Sequence, residues 1–255
     1  MPLRTFRKLV WIELKLFLRE PLSLAMALAF PLIVQVVMAG VFGREDSAQG
    51  NLFKGVIGID YYTPSSMAVV IAALGLIFLP VRLATYRERG ILRRFQASSI
   101  PSWTLFSSLA VVTLAVSLAG MVVMFVVALT AYGGNAPESP LAFIIGFLLG
   151  ALTFLAIGVF LGAALPNART AQGVGMSLFF LMMFVSGAGP PLNVMPDYMR
   201  TISDFVPLTH VVNIVQDPWV AFAGQVDVWN GSSLVITAAM LVVSAALATF
   251  ALRGK

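Results

Sequence analysis

Apolar residues along this chain come in long unbroken blocks rather than in the alternation of a half-buried strand. Six blocks approach or exceed the roughly 20 residues that an α-helix needs to cross a bilayer: 22–42, 65–84, 104–131, 141–165, 172–188 and 232–252. Pro31 lies inside the first and Pro80 near the end of the second. Such prolines are tolerated in a membrane helix whose neighbours satisfy the freed backbone groups. The third block is the longest and suits a tilted helix; the fifth is short. The predicted fold class is an all-α membrane protein with six transmembrane helices.

Residues 1–21 carry a different period. On a helix, Leu3, Phe6, Val10, Leu14 and Phe17 form one apolar stripe, and Arg4, Lys8, Lys15 and Arg19 gather on roughly the opposite face. Trp11, Ile12, Leu16 and Leu18 widen the apolar side. This pattern predicts an amphipathic elbow lying in the membrane interface, cations near lipid phosphates, and ended by Pro21. An ordinary basic flank that fixes topology is the other reading.

Composition agrees with the pattern. The chain has 255 residues, 59% hydrophobic and 11% charged, with a mean hydropathy of +0.94. Average soluble domains are about half apolar and a quarter charged, so the composition argues against the alternative of a soluble protein with an unusually large core. The net charge of +5 reads as cytoplasmic loops rather than nucleic-acid binding. With the N-terminus inside, the inner segments hold Arg4, Arg7, Lys8, Lys15, Arg19, Arg82, Arg87, Arg89, Arg93, Arg94, Arg169, Arg253 and Lys255, leaving only Arg44, Lys54 and Arg200 outside. A bias of that size sets orientation, with both ends cytoplasmic. The start, MPLRTFRKLV, lacks the pattern of a secretory leader.

The spans as drawn hold no Asp, Glu, Lys or His; Gln35 is their main polar residue, and Arg82 sits near an end where it can snorkel. Ion-driven carriers place ionisable groups at membrane depth, so that class is disfavoured. The chain has no cysteine, hence no disulfide and no thiolate metal site, and no GxxxxGK[ST] to cradle a nucleotide. No catalytic, metal or cofactor site is expected in it. The lone His210 reads as structural rather than as a ligand. Gly146, Gly150, Gly158 and Gly162 share a face of the fourth block, with Phe154 between them. Such faces let helices approach closely, either within the protomer or at a dimer seam.

Between the second and third blocks stands YRERGILRRF, residues 86–95, in which Arg87, Glu88, Arg89, Arg93 and Arg94 are charged. Topology retention explains the arginines. It does not explain the interleaved Ile91, Leu92 and Phe95 or the nearby Trp103, since arginine with aromatics is favoured at protein interfaces. A docking site for a cytoplasmic partner is the reading the residues favour, with Gly90 breaking the helix.

The longer run YRERGILRRFQASSIPSW resembles the cytoplasmic loop of ABC-2 type transporter permeases, with its E-x-G-T-L core, an A-T-P-like segment and an aromatic. The matching positions are Glu88, Gly90, Leu92, Ala97, Ser98 and Trp103. Ile91, Ser99 and Tyr86 stand where the family often has threonine, proline and an acid. VSGAGPPLNVMPDYMRTISDFVPLTHVV resembles the family's segment before the last span, through Gly187, Gly189, Pro190, Met195-Pro196, Tyr198 and the Pro207-Leu208-Thr209 step. Met199, Ile202, Phe205 and Val206 there share a helical face; a plain outer loop is the alternative.

The resemblance implies a single transmembrane domain over 1–255, with 85–103 as the coupling loop and 189–225 as an extracellular segment of short re-entrant helices. It implies that Arg87, Glu88, Arg89, Gly90, Ile91, Arg93, Arg94 and Phe95 meet a separate nucleotide-binding ATPase subunit, which binds ATP and Mg2+. Glu88 would accept a hydrogen bond from that partner, the arginines would steer or pair with its acids, and Ile91 and Phe95 would fill a pocket. It implies a second permease copy (homodimer, or heterodimer with a similar chain) in a prokaryotic inner membrane. The cargo would be a hydrophobic or amphipathic compound: a drug, an antibiotic or a lipid-linked glycan. Met176, Phe179, Phe180 and Met183 are candidates for lining its path, or for ordinary packing. A carrier or channel working without ATP is the rival, and a non-transporting scaffold a second.

Overall fold

The computed structural model describes residues 3–42, 57–91, 94–95, 103–220, 228–229 and 231–253. The described residues form helices and turns, with no strand among them. Helix α1 is Leu3–Leu18. Helix α2 joins an α-helical turn Pro21–Leu24, a π-helical turn Ala25–Ala29 and the α-helix Phe30–Phe42. Helix α3 joins Gly58–Ala73, a π turn Leu74–Phe78 and Leu79–Glu88. Then come α4 (Trp103–Tyr132), α5 (Pro140–Ala164), α6 (Ala168–Val185), the short α7 (Asp197–Ser203), α8 (Pro207–Gln216) and α9 (Gly231–Arg253).

Helices α3, α4, α5, α6 and α9 are long and apolar enough to cross a membrane, and α2 contributes a shorter apolar stretch, Ala25–Val41. The expected prolines explain the π turns. Each π turn ends two residues before a proline, Pro31 or Pro80. A proline lacks an N–H and its ring presses on the carbonyl four residues back; widening one turn lets the helix run on.

Two spans start earlier than expected. The second was expected at 65–84, but α3 begins at Gly58 and runs to Glu88. Pro64 marks no boundary: it sits inside the helix. Asp60 thereby falls within the span's first turn, which corrects the expectation that the spans hold no acid. It accepts bonds from Asn135 N–H (2.8 Å) and Nδ2 (2.7 Å). The fifth was expected at 172–188, but α6 starts at Ala168 because Asn167 caps it, its Oδ1 accepting Thr170 N–H at 2.7 Å. It stops short at Val185, before a left-handed turn at Gly187 (φ 83°).

Helix α3 is the axis. Within its most apolar stretch 94% of residues are buried by the rest of the chain, against 17% for α9. The glycine face of α5 makes this possible. A methyl group at Gly162 would lie 2.7 Å from Leu83 Cβ, and one at Gly158 would overlap the backbone of Gly75. Nearer the other end, Gly146 and Gly150 meet Ile214 and Val211 of α8. These glycines therefore serve packing within the protomer. Gly158→Leu is expected to keep α5 off α3 and to reduce monodisperse protein in detergent chromatography severalfold, while Gly173→Ala, at a position open to space, leaves the yield unchanged.

Helix α1 also differs in detail. Its stripe faces protein: Phe17 is fully buried, edge-on to Phe78 at 4.7 Å, and Val10 and Leu14 pack on the core. The outward side carries Trp11, Ile12, Leu16 and Leu18 together with Arg4, Arg7, Lys8, Lys15 and Arg19. Lys15 Nζ stands 5.1 Å from the Trp11 ring. Large apolar side chains stay exposed along the bundle, among them Ile33, Leu181, Val235, Val242 and Phe250. Patches of this kind belong against lipid or another chain.

Candidate functional site

Among the described residues, the end of the bundle where α1, the end of α3 and the α5–α6 turn meet gathers most of the charged side chains. Helix α3 ends at Glu88, followed by Gly90 in the left-handed region (φ 64°). Gly90 N–H donates to Arg87 O at 3.1 Å, which closes the last turn. A left-handed residue here favours glycine, so Gly90 sets the direction in which the chain leaves the helix.

Arg82 does not snorkel outward. Its guanidinium turns into protein and is buried. Nη2 donates to Glu13 Oε2 (3.2 Å) and to the Tyr86 hydroxyl (2.8 Å), and Nη1 donates to Glu20 Oε1 (2.5 Å). The Tyr86 hydroxyl in turn donates to Glu13 at 2.6 Å. Glu13 is buried on a helix whose other charges are basic. This network fastens α1 to α3, and sequence reasoning missed it. The available signal was the pair of acids, Glu13 and Glu20, on an otherwise cationic segment.

One turn on, Arg87 and Glu88 face the α5–α6 turn. Arg87 Nη1 donates to the carbonyls of Gly162, Ala163 and Leu165, each at 2.8 Å. Glu88 Oε1 accepts Ala168 N–H at 3.2 Å and the side chain stays exposed. Ile91 and Phe95 are half-buried against Leu79, Tyr86, Leu105 and Leu109, turned toward the protomer's own core. Arg89 and Arg94 are exposed. Arg93 lies outside the described residues, as does Leu92.

Of the four path candidates on α6, Phe179 and Met183 are buried, and Met176 and Phe180 are half-buried. Phe30 of α2 stands edge-on to Phe179 and Phe180, with centroids 5.9 and 5.7 Å away. The other face of α6 opens onto an apolar groove of about 460 Å3 between α5, α6 and α9, lined among others by Phe160, Leu178, Met182 and Met240.

At the opposite end α8 is buried apart from its edges, and ten residues long, about 15 Å at 1.5 Å per residue and too short to span. Gln216 Nε2 donates to Tyr61 O (3.1 Å) and Ser65 Oγ (3.2 Å), and Tyr61 donates to Gly187 O (3.1 Å). His210 Nε2 lies 2.8 Å from Asp204 O; a carbonyl only accepts, so that nitrogen carries a proton. Among the described residues no cluster of three or more His, Asp or Glu could hold a metal. In mid-bundle, Gln35 Nε2 donates to Met124 O at 3.0 Å.

A family model described as ABC-2 type transporter matches residues 4–218. YvfS of Bacillus subtilis (strain 168), whose name describes a transport permease, is 32% identical over 94 residues, 37% of each chain. YbhR of Escherichia coli (strain K12), named a probable multidrug ABC transporter permease, is 25% identical over 192 residues, 74% of this chain and 52% of its own. The chain thus spans about half or less of the length of these two relatives. DrrB1 of Streptomyces coeruleorubidus, named a daunorubicin resistance ABC transporter permease protein, is 25% identical over 264 aligned residues, 96% of this chain and 85% of its own. With the family match running from the basic first helix through the buried α8, the chain belongs to the ABC-2 type transporters, as a multi-pass membrane permease of a family that lacks the ATPase domain.

Proposed function

We propose that this chain is the membrane subunit of an ATP-driven exporter that moves a hydrophobic or amphipathic compound out of the cytoplasm or inner leaflet. A separate ATPase subunit docks at the charged end of α3, and its closure on ATP and Mg2+ rearranges the spans. One observation carries the reading. Glu88, Arg89 and Arg94 are exposed at the end of the helix that is buried most deeply. A push on that end is delivered to the core rather than to a peripheral span. Arg89, Arg94 and Arg93 steer and pair with acids of the partner. Glu88 offers it a carboxylate, while Gly90, Ile91 and Phe95 hold the segment's shape from behind.

The charge bias favours a cytoplasmic side for this end and for both termini, and the family resemblance favours a prokaryotic inner membrane. Helix α1 lies in the interface, its exposed Trp11 and cations toward the lipid headgroups. Helix α2 completes six spans. Helix α8 is a re-entrant helix, its backbone tolerated at membrane depth because protein covers most of it. A second permease copy completes the path, with Met176 and Phe180 toward it; methionine and phenylalanine suit adaptable apolar cargo. The names of DrrB1 and YbhR point to drugs, so an amphipathic drug is the first cargo to test and a lipid-linked glycan the second.

The test is co-purification of the ATPase subunit, followed by ATP-dependent uptake of daunorubicin into inverted vesicles. Arg89→Glu with Arg94→Glu is expected to weaken ATPase retention by about tenfold or more with normal membrane insertion. Uptake that proceeds at the same rate without the ATPase would establish a carrier or channel instead.

A further inference from the structure

The contacts of Arg87 and Glu88 run inside the chain, to the turn between α5 and α6. We infer that these two residues are a mechanical link through which the docking segment moves α6 together with α3. The inference rests on the proposed docking of an ATPase at this end.

The last carbonyls of a helix and its first N–H groups have no partner within the helix, and its C-terminus is the negative end of the helix dipole and its N-terminus the positive one. Arg87 places one cationic nitrogen on three carbonyls at the end of α5. Glu88, its neighbour, places an anion on the first N–H of α6. Two consecutive residues thus satisfy both sides of the turn with the sign that each side favours. Helix α6 already has its own cap in Asn167, so it does not depend on Glu88 to begin.

A second point of contact gives the link leverage. Gly175, two turns into α6, approaches the backbone of Leu76 in the π turn of α3 so closely that a methyl group would overlap it. Helix α6 is therefore held to α3 twice, at the charged clasp and at the Gly175 crossing. Displacing the clasp tilts α6 about that crossing, and with it Phe180 on one face and Met182 in the groove on the other.

The chain has no cysteine, so Pro166→Cys, exposed in the turn, takes a unique nitroxide label. The labelled permease is studied in nanodiscs with its co-purified ATPase. In the otherwise wild-type chain, ATP is expected to change the label's spectrum. With Arg87→Ala the ATPase is retained, the ATP-induced change is lost, and daunorubicin uptake falls about tenfold or more, within the range of a coupling energy between two sites. Arg87→Lys keeps the charge on a shorter side chain that reaches the three carbonyls less well and gives intermediate values, which keeps the test open if the alanine variant does not assemble. An Arg87→Ala permease that retains ATPase, responds to ATP and transports as before overturns the inference alone. Loss of ATPase from Arg87→Ala also overturns it, by making Arg87 a docking residue. A wild-type chain that retains no ATPase overturns the proposed function and this inference together.

Discussion

Arg82→Met is expected to be the most damaging single change at the charged end, costing about 3–5 kcal/mol, the usual loss when one partner of a buried ion pair is removed. The reason is the company that Arg82 keeps. Glu13 has 4% of its side chain exposed and faces Arg82 at 3.2 Å. Without the guanidinium it is a carboxylate in a nearly dry site, held among the described residues by the Tyr86 hydroxyl. Glu20 is 34% exposed, so water compensates it and it adds less. The double variant Glu13→Gln/Arg82→Met is expected to recover most of the loss, because no unpaired charge stays behind. Thermal unfolding of the four proteins of this cycle, in one detergent, measures the coupling. Additive effects would mean that α1 is not fastened to α3 through this pair.

Glu88→Lys is expected to abolish ATP-driven export and substrate-stimulated ATPase activity while leaving membrane insertion intact. The substitution puts a cation at the positive end of α6, beside Arg87 and Arg89, and removes the acceptor of Ala168 N–H. Like charges and a lost bond at an exposed site cost little stability, on the order of 1 kcal/mol, so the folded permease persists. Proteoliposomes with the ATPase and daunorubicin give the readout. Full export by Glu88→Lys would show that neither the clasp nor the docking surface uses this carboxylate.

The long apolar helices were legible because length and hydropathy are one-dimensional properties. Helices α4, α5 and α9 end within one residue of the blocks read from the sequence. The boundaries that moved did so at residues whose usual meaning the packing overrode. The second block was drawn from residue 65, just after Pro64, yet α3 passes through that proline. Arg169 reads as a loop residue, yet Asn167 starts α6 before it. The amphipathic stripe of α1 was visible, but periodicity alone does not say whether an apolar face meets lipid or protein. Phe17 against Phe78 settles that only in three dimensions.

At the site, the segment 86–95 was conspicuous by charge, and its division of labour was not. Ile91 and Phe95 pack inward, Arg87 reaches backbone carbonyls about 75 residues away in the chain, and Arg82 pairs with Glu13 and Glu20. Backbone carbonyls carry no sequence signature, so a bond such as that from Arg87 to Leu165 O leaves no mark to read. The pairing of Glu13 with Arg82 left one, an acid out of place on a basic helix.

The central claim is that an ATPase grips the exposed charged end of α3 from the cytoplasm. A photo-crosslinking amino acid at Arg94, activated in intact cells with the crosslinked product identified by mass spectrometry, tests it most directly. The account predicts a crosslink to a P-loop ATPase that is lost in the Arg89→Glu background. Crosslinks to lipid alone, or to a protein on the outer side of the membrane, would contradict it.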